Sequence, residues 1–140
     1  MSIRGNMKAY GSENVKSQVA GADSYTIIKM LMQGAIDRLA QGKGCIERKD
    51  LQGKSKNLSG ASAIITSLND SLDFSKGAEA ASNLGGLYEY MITRVADATI
   101  DNDIQPIDEV ILLLAEIKGA WDSIPQSEID KALELQAAQG

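Results

Sequence analysis

Four stretches of this chain carry apolar residues at intervals of three, four and seven, and no stretch alternates apolar with polar residues as a half-buried strand does. That pattern excludes a sheet-built fold and requires helices packed side by side. In the first stretch Ile28, Leu31, Ala35, Leu39 and Ile46 share a face, with Asp23 or Ser24 available as N-cap, so a helix is expected from Ser24 to near Lys49. Asp50 caps the second, where Leu51, Leu58, Ile65 and Leu72 fall seven apart and Ala61 and Leu68 lie on the same seam. "LDFSKG" around Gly77 breaks the chain before a third helix that begins near Ala78.

The third helix has an apolar face wider than one neighbour needs. Leu84, Leu87, Tyr88, Met91, Val95 and Ala98 form its main seam, and Ile92, Ala96 and Ile100 form a second stripe beside it. After "DNDIQP", Pro106 suits the first turn of a fourth helix that runs to about Ser123, with Ile107, Val110, Ile111, Leu114, Ile117 and Trp121 inward and Leu112 and Leu113 outside that seam. Beyond Pro125 a capping-box-like "SEID" opens a short stretch with Ile129, Leu133 and Leu135, too brief to be stable alone. Short connections between long helices give the expected fold: all-α, an antiparallel four-helix bundle with a mobile N-terminal arm and a short C-terminal helix or tail. The expected organisation is an arm over 1–23, rich in Gly, Ser, Asn and Lys, one bundle domain over 24–123 and a tail over 124–140.

Composition removes most alternatives. The chain has no histidine, which takes away the commonest general base and metal ligand together with the Ser-His-Asp and Cys-His arrangements. A non-enzymatic protein without cofactor or metal is expected. The single cysteine, Cys45, has no disulfide partner and reads as a structural thiol. A net charge of −5, with basic residues scattered, speaks against nucleic acid. No apolar run is long enough to cross a bilayer and the start lacks a leader pattern, so no membrane insertion and a cytoplasmic location are expected.

The surplus apolar surface either meets another helix of the bundle or lines a groove for a partner. Gly85 and Gly86 sharpen the choice, since each costs about 1 kcal/mol relative to alanine in a helix interior. Their missing side chains admit a close neighbour, internal or external. Tyr88 and Tyr90 are two apart and point to different sides, Tyr88 inward and Tyr90 toward solvent or a partner. Met7, Met30, Met32 and Met91 suit an adaptable surface or core filling. The carboxylates Asp70, Asp73, Glu79 and Glu89 show no sign of converging, and read as a solvated face.

The stretch "LDFSKGAEAASNLGGLYEYMITRVADA" resembles the flagellin-specific export chaperone FliS family, and "MKAY", "KMLMQGA" and "DEVILLLAEIKGAW" extend the likeness in the family's order. Lys76, Gly77, Glu79, Asn83, Leu84, Leu87, Tyr88, Tyr90 and Met91 match the family signature. The resemblance implies a helical bundle that binds the C-terminal region of flagellin, prevents its premature polymerisation and assists delivery to the flagellar type III export gate. It implies a flagellin-binding surface, to which the helical stripes contribute Leu58, Ile65, Leu68, Leu72, Leu84, Leu87, Tyr88, Tyr90 and Met91. Met7 and Tyr10 match the family's arm, which can lie over the client groove and assist recognition by the gate. A homodimer of the free chain stays open. The competing readings are a helical adaptor or structural bundle for a different amphipathic partner and, less favoured, a small all-α enzyme.

Overall fold

The computed structural model describes residues 23–72 and 78–139. Five helices occupy them: α1 (Ser24–Glu47), α2 (Leu51–Asp70), α3 (Ala78–Asp101), α4 (Gln105–Asp122) and α5 (Gln126–Gln139). Lys29–Ile124 forms one compact unit, and residues 23–28 and 125–139 group in another.

Each boundary has a local cause. Asp23 caps α1, its Oδ1 accepting the Thr26 N–H at 2.8 Å, and this backbone hydrogen bond holds the Asp23 carboxyl below its ordinary pKa. The helix closes two residues earlier than the apolar spacing suggests. Asp50 N–H reaches back to Cys45 O at 2.8 Å and Lys49 N–H to Ile46 O at 3.1 Å, a Schellman-type ending that puts Lys49 at φ 60°. Asp50 then caps α2 through its Oδ1, which accepts the Gly53 N–H at 3.0 Å. At the same end of the bundle, Asn102 follows α3 at φ 52°, a left-handed position that asparagine tolerates. Pro106 sits buried in the first turn of α4.

Contacts between helices set their order and direction. Leu58 of α2 lies against Gly42 of α1, and Ile64 against Gly34, so rising numbers in α2 meet falling numbers in α1. Lys54 of α2 bonds Thr99 O and the Asn102 side chain, whereas Asn69 and Leu72 lie against Gly85, so α3 runs back along α2. Tyr90 and Arg94 of α3 meet Glu109 of α4, and the ring closes where Lys43 pairs with Asp108 at 2.8 Å and Lys29 with Asp122 at 3.3 Å. The result is an antiparallel four-helix bundle.

Its interior is almost wholly apolar. Ala35, Leu39, Ala61, Ile65, Met91, Ala98, Ile107, Val110 and Leu114 are fully enclosed. Leu51 departs from the expected heptad seam, being 65% exposed, while Lys54 is buried at 8%. The reason is satisfaction of polar groups: the Lys54 ammonium donates to Thr99 O at 3.0 Å and to Asn102 Oδ1 at 2.7 Å, so a cation closes the C-terminal end of α3 where its unpaired carbonyls lie. Cys45 is buried beside it in the fold, its sulfur accepting from Asn57 Nδ2 at 3.7 Å and Arg48 Nη2 at 3.6 Å. The last apolar stretch does form a helix, α5, whose first turn bonds to Pro125 O.

Candidate functional site

Helix α3 lies between α2 and α4, and its two flanks give different answers to the question posed by its wide apolar face. The inner row, Ala81, Tyr88, Met91, Val95 and Ala98, is buried against the other helices. The second stripe is covered only in part: Ile92 is half-buried, Ala96 is exposed and Ile100 is 77% exposed. Its outer end therefore remains open apolar surface.

The adjacent glycines separate in the same way. A Cβ on Gly85 would stand 3.3 Å from both Asn69 Oδ1 and Leu72 Cδ1, so the missing side chain here lets α2 pack closely on α3. A Cβ on Gly86 would meet no described atom within 4 Å. Packing thus accounts for Gly85, whereas nothing described in the fold requires a glycine at 86.

One turn beyond Gly86 stands Tyr90, 45% exposed. Its hydroxyl donates to Glu109 Oε1 of α4 at 2.7 Å, and Arg94 Nε donates to the same oxygen at 2.9 Å. Arg94 Nη1 also reaches Asp97 Oδ2 at 3.2 Å. Hydrogen bonding from Tyr90, and then from Arg94, holds the Glu109 carboxyl below its ordinary pKa. The same carboxylate raises the pKa of the Tyr90 phenol and of the Arg94 guanidinium through its hydrogen bonds to them. Moving one turn back from Tyr90 on α3 and one turn on from Glu109 on α4 reaches Leu87 and Leu113, both half-buried at the same level of the bundle. Leu112, beside Leu113, is 61% exposed.

The residues expected on a client surface divide between interior and exterior. Leu58, Ile65, Leu68, Tyr88 and Met91 are 0–2% exposed, enclosed by the protein's own helices, and burial raises the Tyr88 phenol above its ordinary pKa. Leu72, Leu84 and Leu87 are half-buried and Tyr90 is exposed. Glu79 and Asn83 lie exposed in the first turns of α3. Lys76, Gly77, Met7 and Tyr10 fall outside the described residues. Apolar periodicity marks a face as sticky, but a helix in the same chain and a helix from another chain satisfy it equally. Glu109 and Arg94 escaped sequence reasoning because the ladder joining them to Tyr90 spans two helices. Only the Arg94–Asp97 spacing of three is a local signal.

Among the described residues no group of three or more Cys, Asp or Glu is placed to hold a metal ion, and no helix is long and apolar enough to cross a membrane. A cleft of about 490 Å³ opens at the α1–α2 turn, lined by Ile46, Lys49, Asp50, Leu51, Lys54 and neighbours. Its buried lysine is already committed to α3.

Residues 6–128 match the family described as "Flagellar protein FliS". The chain belongs to the FliS family. It is 42% identical over 118 residues to the flagellar secretion chaperone FliSB of Pseudomonas aeruginosa, which covers 84% of this chain and 94% of that protein. It is 41% identical over 123 residues to the flagellar secretion chaperone FliS of Vibrio cholerae, covering 88% and 90%. A third relative, the flagellar secretion chaperone FliS of Salmonella typhimurium, is 41% identical over 119 residues, covering 84% and 88%. This FliS-family bundle is thus of a chaperone family and not a family of enzymes.

Proposed function

We propose that this chain binds the C-terminal region of flagellin, prevents its premature polymerisation and assists its delivery to the flagellar type III export gate, working in the cytoplasm. The observation that carries the reading is kinship: relatives that match this chain over 84–88% of its length are named flagellar secretion chaperones. The exterior of α3 is compatible with it. Ile100, Tyr90 and the open flank of Gly86 offer apolar and aromatic surface on one helix, with Leu112 of α4 beyond them.

A terminal segment that is disordered until it assembles would fold as it docks, laying an amphipathic helix along such a surface. Burying about 1,000 Å² of apolar area at about 25 cal/mol per Å² represents a gross gain near 25 kcal/mol. Ordering the segment consumes much of it, leaving affinities from about micromolar to about nanomolar. Leu58, Ile65, Leu68, Tyr88 and Met91 then support the surface from beneath, and Leu72, Leu84, Leu87 and Tyr90 are the expected binding residues that a client can reach. Met7 and Tyr10 of the arm belong to the same proposal, as a tethered cover that gives way to the client and helps the gate recognise the complex.

Calorimetric titration with a peptide of the host flagellin's C-terminal region, beside a disordered control peptide of equal length and charge, tests the reading. Saturable binding of the flagellin peptide alone is expected. Equal binding of both peptides, or of neither, would overturn it and favour an adaptor for another partner.

A further inference from the structure

We propose that Glu109 is a positioning residue for the client: it holds the exposed Tyr90 ring in one orientation across the α3–α4 seam, so that flagellin's C-terminal segment meets a preset aromatic platform beside Gly86. The proposal rests on the flagellin-binding reading above and adds two residues that the apolar stripes do not reveal.

Three observations carry it. First, Tyr90 is the one large aromatic side chain among the exposed apolar residues that the structure describes, yet its ring is tied at the far end by a short hydrogen bond of 2.7 Å to an ionised acceptor. An exposed tyrosine ordinarily exchanges among staggered rotamers. Second, the acceptor oxygen is itself fixed from the other side by Arg94 Nε at 2.9 Å, and Arg94 is braced against Asp97 at 3.2 Å. The acceptor oxygen is thus shared between the phenol and the guanidinium. Third, Gly86 stands one turn before Tyr90 and presents no side chain to hold the ring in place, and no described atom, the Tyr90 ring included, lies within 4 Å of where a Cβ there would stand. Backbone packing leaves the ring's orientation undetermined on that flank, and the link to α4 determines it.

The functional consequence is entropic. A ring already immobilised loses little freedom when a client helix packs on it, whereas an untethered ring must be frozen during binding. The latch also keeps the ring from crossing the open flank at Gly86, where a client backbone could come closest. A simple staple between α3 and α4 would act on stability alone, since exposed ion pairs and hydrogen bonds contribute little and do not care what docks nearby.

A double-mutant cycle on the full chain distinguishes the two, using the flagellin C-terminal peptide as probe with calorimetric affinities and melting curves for every protein. Tyr90→Phe keeps the ring and removes the hydroxyl; Glu109→Ala removes the acceptor. Each is expected to weaken binding roughly two- to twelvefold, the span set by freezing one rotamer-rich side chain. The double variant should bind no more weakly than either single one. Glu109→Gln, whose amide oxygen still accepts from the phenol but whose charge no longer pairs with Arg94, should restore affinity to within about twofold of the parent. Parental affinity in Tyr90→Phe and Glu109→Ala, or losses that multiply in the double variant, would overturn the latch while leaving flagellin binding intact. Failure of the parent itself to bind the peptide would overturn the broader reading and the latch with it.

Discussion

Replacing Gly86 by alanine should make the protein more stable and a poorer flagellin binder at once. The first half follows from the helix: alanine is preferred over glycine in a helix interior by about 1 kcal/mol, and the new Cβ meets no described atom within 4 Å. No steric cost offsets the gain. For a chain of this size that corresponds to a rise in melting temperature of about 3–6 °C, readable by circular dichroism and confirmed by a higher urea midpoint with an unchanged slope. The second half follows from the proposed client seat, where a methyl group inserted between closely packed backbones costs about 1–3 kcal/mol, or roughly 5- to 140-fold in affinity. Gly85→Ala is the internal control. Its Cβ would come within 3.3 Å of Asn69 Oδ1 and Leu72 Cδ1, so crowding of α2 cancels most of the helical gain and stability should move by less than about 0.5 kcal/mol. A lower melting temperature for Gly86→Ala would show that its flank is not open. A higher one with parental affinity would remove Gly86 from the client surface.

Ile65→Ala should destabilise the bundle by about 2–5 kcal/mol, because the side chain is fully enclosed and its removal leaves a cavity; any loss of peptide binding should track the unfolded fraction measured by circular dichroism. The acid limb of stability should depend on Glu109. Its carboxyl is held below the ordinary value by Tyr90 and Arg94, so the stability it confers is present above the unfolded carboxylate range, near pH 4.3 by the usual reference of about that value, and is lost as pH falls through the lowered pKa. The melting-temperature gap between the parent and Glu109→Gln should therefore be present at neutral pH and shrink in strong acid; a gap that persists unchanged at the acid end would refute the assignment.

Much of this molecule was determined by its sequence. The periodicity of apolar residues marked four bundle helices, Asp23 and Asp50 marked two of their starts, and Pro106 marked another, because capping and helical amphipathicity are local properties of a few consecutive residues. The family likeness was equally legible, since it rests on residue identities in order. Tertiary structure decided what periodicity leaves open. It enclosed Lys54 in place of Leu51, because the carbonyls at the end of α3 needed a donor that only a distant residue could bring. It gave the two glycines different surroundings, and it placed Leu58, Ile65, Leu68, Tyr88 and Met91 inside while leaving Tyr90 and Ile100 outside. It joined Tyr90 to Glu109 across nineteen positions of chain. An apolar side chain carries the same hydrophobic drive whichever surface it meets, so which partner covers it is settled only when the helices have chosen their neighbours.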